Sequence, residues 1–327
     1  MYVLGVETSC DETSLAVVED GRRILSNVVA SSLSFHKKYG GIVPEIASRM
    51  QLEAITAVAE SAVKEAGIKL RDLGLIGVVS GPGLAGSLLV GVSFAKSLSL
   101  GLGIPLLGID HLQSHIYANY LNGISPNLKK PFVGLIVSGG HTSLYYVRDF
   151  DDMAVLGSTC DDACGEAFDK VAKILRLGYP GGPVIEKIAR KGNPRRIKFN
   201  CSDTHNPLDF SFSGIKTAVL YYVQRTGKRK ITADIAASFQ EAVVDTLIKK
   251  SVLALRMKKS KSLVVGGGVA ANHRLREKFA QRAAEGNFTV HFPRQELCMD
   301  NAAMVAGLAW RLFKKGRQSG LDLAAVR

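Results

Sequence analysis

Two histidines four residues apart are the first side chains in this sequence with an evident chemistry. His111 and His115 follow an apolar stretch, residues 104–108, that is predicted to be a strand. Asp110, directly before them, is a typical helix N-cap residue. Residues i and i+4 lie one turn apart on one helix face, so both imidazoles can ligate a single metal ion. Histidine pairs at this spacing are at least as often packed or solvated side chains, and the pair alone leaves both interpretations open.

An internal repeat supplies a third ligand. An offset of 185 residues aligns a strand and glycine turn at 76–83 with a second strand and turn at 262–268, and it aligns His115 with Asp300. We expect elements related in this way to meet across a cleft. His111, His115 and Asp300 would then form a two-histidine, one-carboxylate set, which suits Fe²⁺ or Zn²⁺ as a Lewis acid.

A metalloprotease is the competing interpretation of the histidine pair. The HExxH motif of those enzymes has its general-base glutamate directly after the first histidine. This chain has Leu112 at that position. The sequence therefore argues against proteolysis.

A second repeat, at an offset of 129 residues, covers two predicted strand hairpins. Residues 3–20 and 132–149 are identical at seven of eighteen positions without a gap. The hairpin turns, residues 8–12 and 138–141, consist of small and polar residues. Backbone N–H groups in such turns can converge on an anion, so both are predicted phosphate-binding turns. The glycines of the 81–83 and 266–268 turns would allow a ligand to approach the backbone closely.

The order of these elements predicts the fold. A strand hairpin followed by a strand–turn–helix unit, present twice, is typical of the α/β fold of actin, Hsp70 and sugar kinases. That fold has two ribonuclease-H-like domains that face each other across a nucleotide. We expect an N-terminal lobe of residues 1–124 plus about 303–327, a C-terminal lobe of residues 125–302, and a hinge within 122–131. The last helix, 301–314, should cross back onto the first lobe.

The positive charge is confined to one part of the chain. The formal net charge is +13, yet residues 1–130 hold 11 basic and 11 acidic residues, against 31 and 18 in residues 131–327. Basic clusters lie at 187–198, 225–230 and 256–261. They are expected of a protein that binds a phosphate backbone, and the alternative is several solvated helix faces.

Cysteine usage and the apolar segments indicate a protein of the reducing cytoplasm. The five cysteines are odd in number and form no CxxC pair, which argues against a disulfide framework or a zinc knuckle. The first residues do not resemble a signal peptide. The longest apolar stretch, 84–109, is interrupted by Lys96 and Pro105, so we expect a buried helix and strand and no membrane contact.

Ten short motifs in order resemble the TsaD family, once called O-sialoglycoprotein endopeptidases, over nearly the whole chain. The motifs are GVETSCDET (5–13), PEIASR (44–49), GPG (81–83), HLQSH (111–115), VSGGHT (137–142), GEAFDK (165–170), YPGGP (179–183), DFSFSGIK (209–216), GGGVAAN (266–272) and DNA (300–302). The resemblance implies transfer of L-threonylcarbamoyl from L-threonylcarbamoyl-AMP to N6 of the tRNA adenosine 3′ to the anticodon. The product would be t6A.

The resemblance also implies ligands and partners. The family's metal ligands map onto His111, His115 and Asp300, with Fe²⁺ preferred and Zn²⁺ as the alternative. Its nucleotide contacts map onto Ile136, Val137, Ser138, Gly139, Gly140, Asp169, Gly182 and Asn272. Bacterial members, which the HLQSH form and the short chain resemble, work with TsaB and TsaE, while TsaC or Sua5 supplies the substrate.

Several predicted roles rest on residue chemistry near these motifs. Ser9 is expected to donate its N–H to an anionic oxygen, His141 either to bind phosphate or to end a strand, and Asp11 or Glu12 to accept the N6 proton. Asn272 is either an N-cap or a ligand. Gln51 and Cys164 depart from the family pattern, which often has His and Ala there, and neither is expected to touch the site.

Two other functions fit the predicted fold. A metal-dependent ATPase or sugar kinase is the first, although the first turn lacks the Asp-x-Gly of such kinases. A nucleotide-regulated binding module is the second, and the predicted metal ligands argue against it. Fold alone does not decide among them.

Overall fold

The computed structural model describes residues 1–123, 128–226 and 232–326, and its contacts divide the chain into two units. Unit 1 is Met1–Asn127 with Glu296–Arg327, and unit 2 is Leu128–Gln295. The second boundary therefore lies at Glu296, earlier than the predicted position near 303, and Asp300 falls in unit 1. Parts of the predicted hinge and of the 225–230 basic cluster lie outside the described residues.

Unit 1 contains a five-stranded sheet in the order β3-β2-β1-β4-β5. β1, β2 and β3 are antiparallel neighbours, while β4 and β5 continue the sheet parallel to β1. The elements are β1 (Tyr2–Glu7), β2 (Glu12–Glu19), β3 (Arg23–Ser31), α1 (Leu33–His36), α2 (Pro44–Glu65), β4 (Leu73–Gly81), α3 (Ala85–Leu102), β5 (Leu106–Asp110), α4 (His111–Tyr117) and α10 (Ala302–Phe313).

Unit 2 repeats this sheet as β8-β7-β6-β9-β10. Its first three strands are antiparallel neighbours, and β9 and β10 run parallel to β6. The elements are β6 (Phe132–Val137), β7 (Thr142–Asp149), β8 (Asp152–Ser158), α5 (Cys164–Leu175), α6 (Gly181–Ala189), α7 (Ser213–Thr226), α8 (Thr232–Met257), β9 (Ser262–Gly266), α9 (His273–Gly286) and β10 (Thr289–His291).

The strand register confirms the duplication in the two hairpins. Gly5 lies opposite Ala16, and Gly134 lies opposite Tyr145, so both members of the second pair are 129 residues after the first. The 185-residue offset holds less far. It would place His291 opposite Lys261, whereas His291 lies opposite Val264. The glycine turns therefore correspond, but the last strands of the two sheets do not.

The last helix crosses onto unit 1, as predicted. α10 packs on β1, β2 and β4, and all but its last turn is buried. The close approach depends on Gly5, because a Cβ atom there would meet the carbonyl oxygen of Ala302 and the amide nitrogen of Ala306. A glycine in a strand interior commonly marks such an approach of a second backbone.

The long apolar stretch forms a helix and a strand, also as predicted. It contains α3 and β5, and α3 packs on α2 and β4. α3 is the one helix in the described ranges with the length and composition to cross a membrane, which a core helix also satisfies.

Gly5→Ala should destabilise the protein, because the new methyl group must displace α10 from β1. We expect the free energy of unfolding in denaturant to fall by about 3 kcal/mol, the upper range for overpacking a core. Gly101→Ala is the matched control, since Gly101 lies in α3 with open space where its Cβ would be. That variant should be unchanged or up to about 1 kcal/mol more stable. Equal stability of the two variants would contradict the packing described.

Candidate metal and nucleotide sites

Unit 1 brings His111, His115 and Asp300 together. One ligand atom from each lies within 4.8 Å of the others. The Asp300 Oδ1 atom is 3.1 Å from Nε2 of His115 and 3.6 Å from Nε2 of His111. The imidazole rings meet edge to face with centroids 4.7 Å apart. Both histidines are buried, and the Asp300 side chain is 19% exposed, so the cluster is open on the carboxylate side.

The predicted elements position the histidines. Asp110 is the N-cap of α4, and its Oδ1 accepts the Gln113 N–H at 2.8 Å. α4 begins directly where β5 ends, so His111 and His115 project from the carboxyl edge of the sheet on one helix face.

Asp300 reaches the histidines for a different reason from the one predicted. His115 is the fifth residue of α4, whereas Asp300 precedes Asn301, the N-cap of α10, so the two are not equivalent positions of the repeat. All three ligands belong to unit 1. The start of α10 is fixed there by the Ala302 N–H, which donates to Ser14 Oγ at 2.9 Å.

Glu7, which the sequence argument missed, orients His111. Its Oε2 lies 2.9 Å from Nδ1 of His111, and Ser9 Oγ lies 3.1 Å from the same atom. Glu7 is fully buried at the end of an otherwise apolar strand, and that position was the available signal. A carboxylate on one ring nitrogen directs the other nitrogen towards a metal.

Carboxyl groups crowd this site. The pKa of Glu12 is raised to about 10 by burial and by the nearby carboxyls of Asp300, Asp11 and Glu7. Burial lowers the pKa of His111, but Glu7 and Asp300 raise it to about 9. Both shifts arise because negative charge accumulates where little water can screen it. A bound cation would relieve that repulsion.

The donor set fits a divalent transition metal. Ligand atoms about 2.1 Å from a tetrahedral metal lie about 3.4 Å from one another, close to the two distances from Asp300. Two imidazoles and one carboxylate suit iron or zinc and leave coordination positions open.

The first predicted phosphate turn is closed around the chain's own groups. The Ser9 N–H donates to Glu7 Oε1 at 2.6 Å, and Ser9 is 3% exposed. Gln51 was expected to lie away from the site. Its Nε2 instead donates to the carbonyls of Cys10 and Glu12, at 3.0 and 2.9 Å, because α2 packs on β2. A glutamine in this place therefore holds the turn that carries Asp11 and Glu12.

The second predicted phosphate turn is open. Ser138 and His141 close the turn, since the Ser138 N–H donates to the His141 carbonyl at 2.8 Å. Within the described ranges, the N–H groups of Gly139 and Gly140 donate to no acceptor. Ile136 and Val137 are fully buried, so only their backbone could contact a ligand. His141 is half-buried at the start of β7, next to the turn.

Three glycines of unit 2 have no internal reason to be glycine. Gly139, Gly140 and Gly182 lack the left-handed backbone that favours glycine, and a Cβ atom on each would meet nothing within 4 Å. Gly267 differs, because its φ is +94° and its Cβ would lie 2.5 Å from the Val137 carbonyl. The first three glycines leave space above the backbone, as a bound ligand would require.

α5 connects this turn with the start of α6. A Cβ on Gly165 would lie 2.7 Å from the Ser138 carbonyl, and Asp169, one turn later, accepts the Gly181 N–H at 2.6 Å. Burial raises the pKa of Asp169, while that N–H bond lowers it. Gly182, whose N–H lies in the first turn of α6, therefore belongs with the Ser138 turn.

Asn272 is the N-cap of α9. Its Oδ1 accepts the Leu275 N–H at 2.9 Å, and its Nδ2 donates to Gln240. Glu186 on α6, which the sequence argument missed, lies 2.7 Å from Nδ1 of the adjacent His273. This contact places Asn272 beside the helix that carries Gly182.

Comparisons with known proteins agree with these sites. The sequence model of the TsaD family, described as tRNA N6-adenosine threonylcarbamoyltransferase, matches residues 23–307. The protein of that name from Clostridium kluyveri is 49% identical over 331 residues, which cover 100% of this chain and 96% of that protein. The one from Symbiobacterium thermophilum is 50% identical over 326 residues, which cover 99% and 95%.

The fold recurs in solved structures of low sequence identity. Component A of the (R)-2-hydroxyglutaryl-CoA dehydratase of Acidaminococcus fermentans superposes with a TM-score of 0.57 at 17% identity, covering 97% of this chain and 100% of that one. This likeness concerns the fold alone, which is the predicted fold of actin, Hsp70 and sugar kinases. With the family match over most of its length, the chain belongs to the TsaD family of tRNA N6-adenosine threonylcarbamoyltransferases.

Proposed function

We propose that this protein transfers the L-threonylcarbamoyl group from L-threonylcarbamoyl-AMP to N6 of adenosine 37, the residue 3′ to the anticodon, in tRNAs that read codons beginning with A. The product is t6A. The observation that carries the proposal is the full-length identity of 49–50% to proteins named for this transfer. A metal-dependent ATPase or sugar kinase of the same fold is the alternative.

The reaction sets two requirements. The donor is a mixed anhydride with a good leaving group, AMP, whereas the adenine amine is a poor nucleophile. The protein must therefore position both reactants and stabilise charge, since neither reactant needs chemical activation of its leaving group.

Unit 2 binds the AMP part of the donor. The N–H groups of Gly139 and Gly140 are donors to a phosphate oxygen, supported by the open space above both residues. Asp169 and Gly182 face the ribose, and the turn that ends at Asn272 adjoins the adenosine. Asn272 contributes through its position, because its side chain already caps α9.

Unit 1 holds one divalent metal, Fe²⁺ in preference to Zn²⁺, through His111, His115 and Asp300. When bound, the metal supplies Lewis acidity for a carbonyl or phosphate oxygen. Glu7 fixes the His111 ring, and Gln51 holds the turn that carries Asp11 and Glu12. One of those two carboxyl groups accepts the N6 proton.

The protein acts in the cytoplasm with partners. TsaB and TsaE are the proposed partner proteins, and TsaC or Sua5 supplies the donor. The excess of 13 positive charges suits tRNA as the acceptor.

A reconstituted reaction tests the function and the metal ligands together. Threonine, bicarbonate, ATP, the synthase, both partner proteins and unmodified tRNA are supplied, and digested tRNA is analysed for t6A by mass spectrometry. His111→Ala, His115→Ala and Asp300→Ala should each lose bound metal and slow t6A formation by roughly a hundredfold. His205→Ala, an exposed histidine of unit 2, is the control and should change neither.

Two outcomes would contradict this account. Absence of t6A, with ATP hydrolysis or sugar phosphorylation by the chain alone, would favour the alternative function. Full metal occupancy in all three variants would reject the assigned ligands.

Gly140→Ala should weaken donor binding without affecting the fold. The methyl group would enter the open space and shield the N–H groups that bind phosphate. We expect the Kd for AMP, measured by calorimetry, to rise at least tenfold, or about 1.4 kcal/mol, with unfolding unchanged. Gly101→Ala is the control. An unchanged Kd would show that the turn does not hold the nucleotide.

The metal-free protein should lose stability as the pH rises. The pKa of His111 is about 9 in the folded protein, above the roughly 6.5 of an unfolded chain. The stabilisation from its proton is complete below about pH 6.5 and is lost as the pH rises through about 9. With EDTA, we expect the denaturant midpoint to fall across this window, and less so in Glu7→Gln. The same slope in both proteins would contradict the role of Glu7.

A further inference from the structure

The positive charge of the chain lies entirely in unit 2. Unit 1 contains 14 basic and 14 acidic residues, and unit 2 contains 28 and 15. Unit 2 therefore accounts for the whole net charge of +13. Which part of its surface presents this charge depends on how many of the cations already have acidic partners.

The cations of α9 are neutralised within the protein. Arg274 pairs with Glu241 and Glu277, Lys278 pairs with Glu241 at 2.6 Å, and Arg282 pairs with Glu285. Arg276 donates to the carbonyls of Ala270 and Pro293. This helix carries four cations, but little of their charge is left for a ligand.

Residues 187–198, here called the α6 basic surface, differ sharply. The segment contains six cations and no acidic residue, and all six side chains are exposed. Arg190 pairs with Glu186 at 2.8 Å. The other five form no salt bridge with any residue the structure describes, namely Lys187, Lys191, Arg195, Arg196 and Lys198.

The α6 basic surface is held in place by α8. Gly192 packs against the backbone of Ala233, where a Cβ would not fit, and the Asn193 N–H donates to Asp234 Oδ1 at 2.7 Å. The Ile197 N–H donates to Ser238 Oγ, and Ile197 and Phe199 are buried. Exposed cations thus alternate with buried anchors, so the charges are presented in a fixed arrangement.

A second unpaired cluster, residues 256–261, lies at the opposite edge of the unit 2 sheet. It joins the end of α8 to the first residue of β9. The turns at 138–140 and 266–268 follow the carboxyl ends of β6 and β9, so the five residues of β9, about 17 Å, separate this cluster from them.

The α6 basic surface is at the nucleotide edge. α6 begins beside Asp169 and carries Gly182 in its first turn, and Glu186, one turn later, contacts His273 next to Asn272. From Gly182 to Arg190 the helix rises only about 12 Å. A nucleic acid with one base at this edge would bring its neighbouring phosphates to these cations.

We propose that the α6 basic surface, residues 187–198, binds phosphates of the tRNA backbone close to the modified adenosine. The inference rests on the proposed function for the identity of the nucleic acid. Lysine and arginine side chains on a fixed surface fit the phosphates of a folded RNA without reading its sequence. The 256–261 cluster contributes only to the general positive field.

A matched pair of variants tests the proposal. Lys191→Gln/Arg195→Gln/Arg196→Gln and Arg256→Gln/Lys259→Gln/Lys261→Gln each remove three exposed charges from unit 2. Affinity of the full-length protein with its partner proteins is measured by fluorescence anisotropy of labelled, unmodified tRNA at several salt concentrations. The first variant should raise Kd roughly tenfold and reduce the slope of log Kd against log salt by about 2. The second should change Kd less than about twofold.

The Kd for AMP should stay unchanged in both variants, which separates tRNA contacts from damage to unit 2. In the t6A assay the first variant should raise KM for tRNA with kcat preserved. Equal weakening of tRNA binding by both variants, or none by the first, would overturn the proposal. If the unmodified protein forms no t6A but the first variant alone loses tRNA affinity, the proposed function fails while the surface assignment stands.

Discussion

The packing of α10 on β1 is the contact on which unit 1 depends. It requires a residue without a side chain at position 5, because the backbone of α10 occupies the place of a Cβ atom there. The same packing fixes the start of the helix through Ser14 and brings Asp300 to the two histidines of α4. One close approach of two backbones thus joins the chain's last helix to its first strand and assembles three ligands from distant parts of the sequence.

Much of this could be predicted from repeats and spacing. The 129-residue repeat gave the hairpins with their register, and the spacing of His111 and His115 on a capped helix gave two ligands. Asp300 was identified through an alignment that does not hold in the sheet. It reaches the histidines because α10 crosses onto unit 1, a tertiary contact that no local pattern encodes.

The residues that sequence reasoning missed act through contacts across the fold. Glu7 is a buried acid in an apolar strand, and its bond to His111 spans 104 positions. Gln51 seemed remote from the first turn, yet it donates to three of that turn's carbonyls. Conversely, Ser9 resembled a phosphate-binding residue, but its N–H is taken by Glu7. Turn composition predicts the presence of N–H donors and not whether they are free.

The two units have the same strand order but different chemistry. Unit 1 is electrically balanced and concentrates carboxyl and imidazole groups at the edge of its sheet, whereas unit 2 carries the net charge and an open glycine turn. The ligand set of unit 1 is the central claim of this account, and diffraction from crystals of metal-loaded protein at the iron and zinc absorption edges tests it most directly. We expect one anomalous peak about 2.1 Å from Nε2 of His111, from Nε2 of His115 and from an Asp300 oxygen. A peak bound elsewhere, or a peak that excludes Asp300, would contradict it.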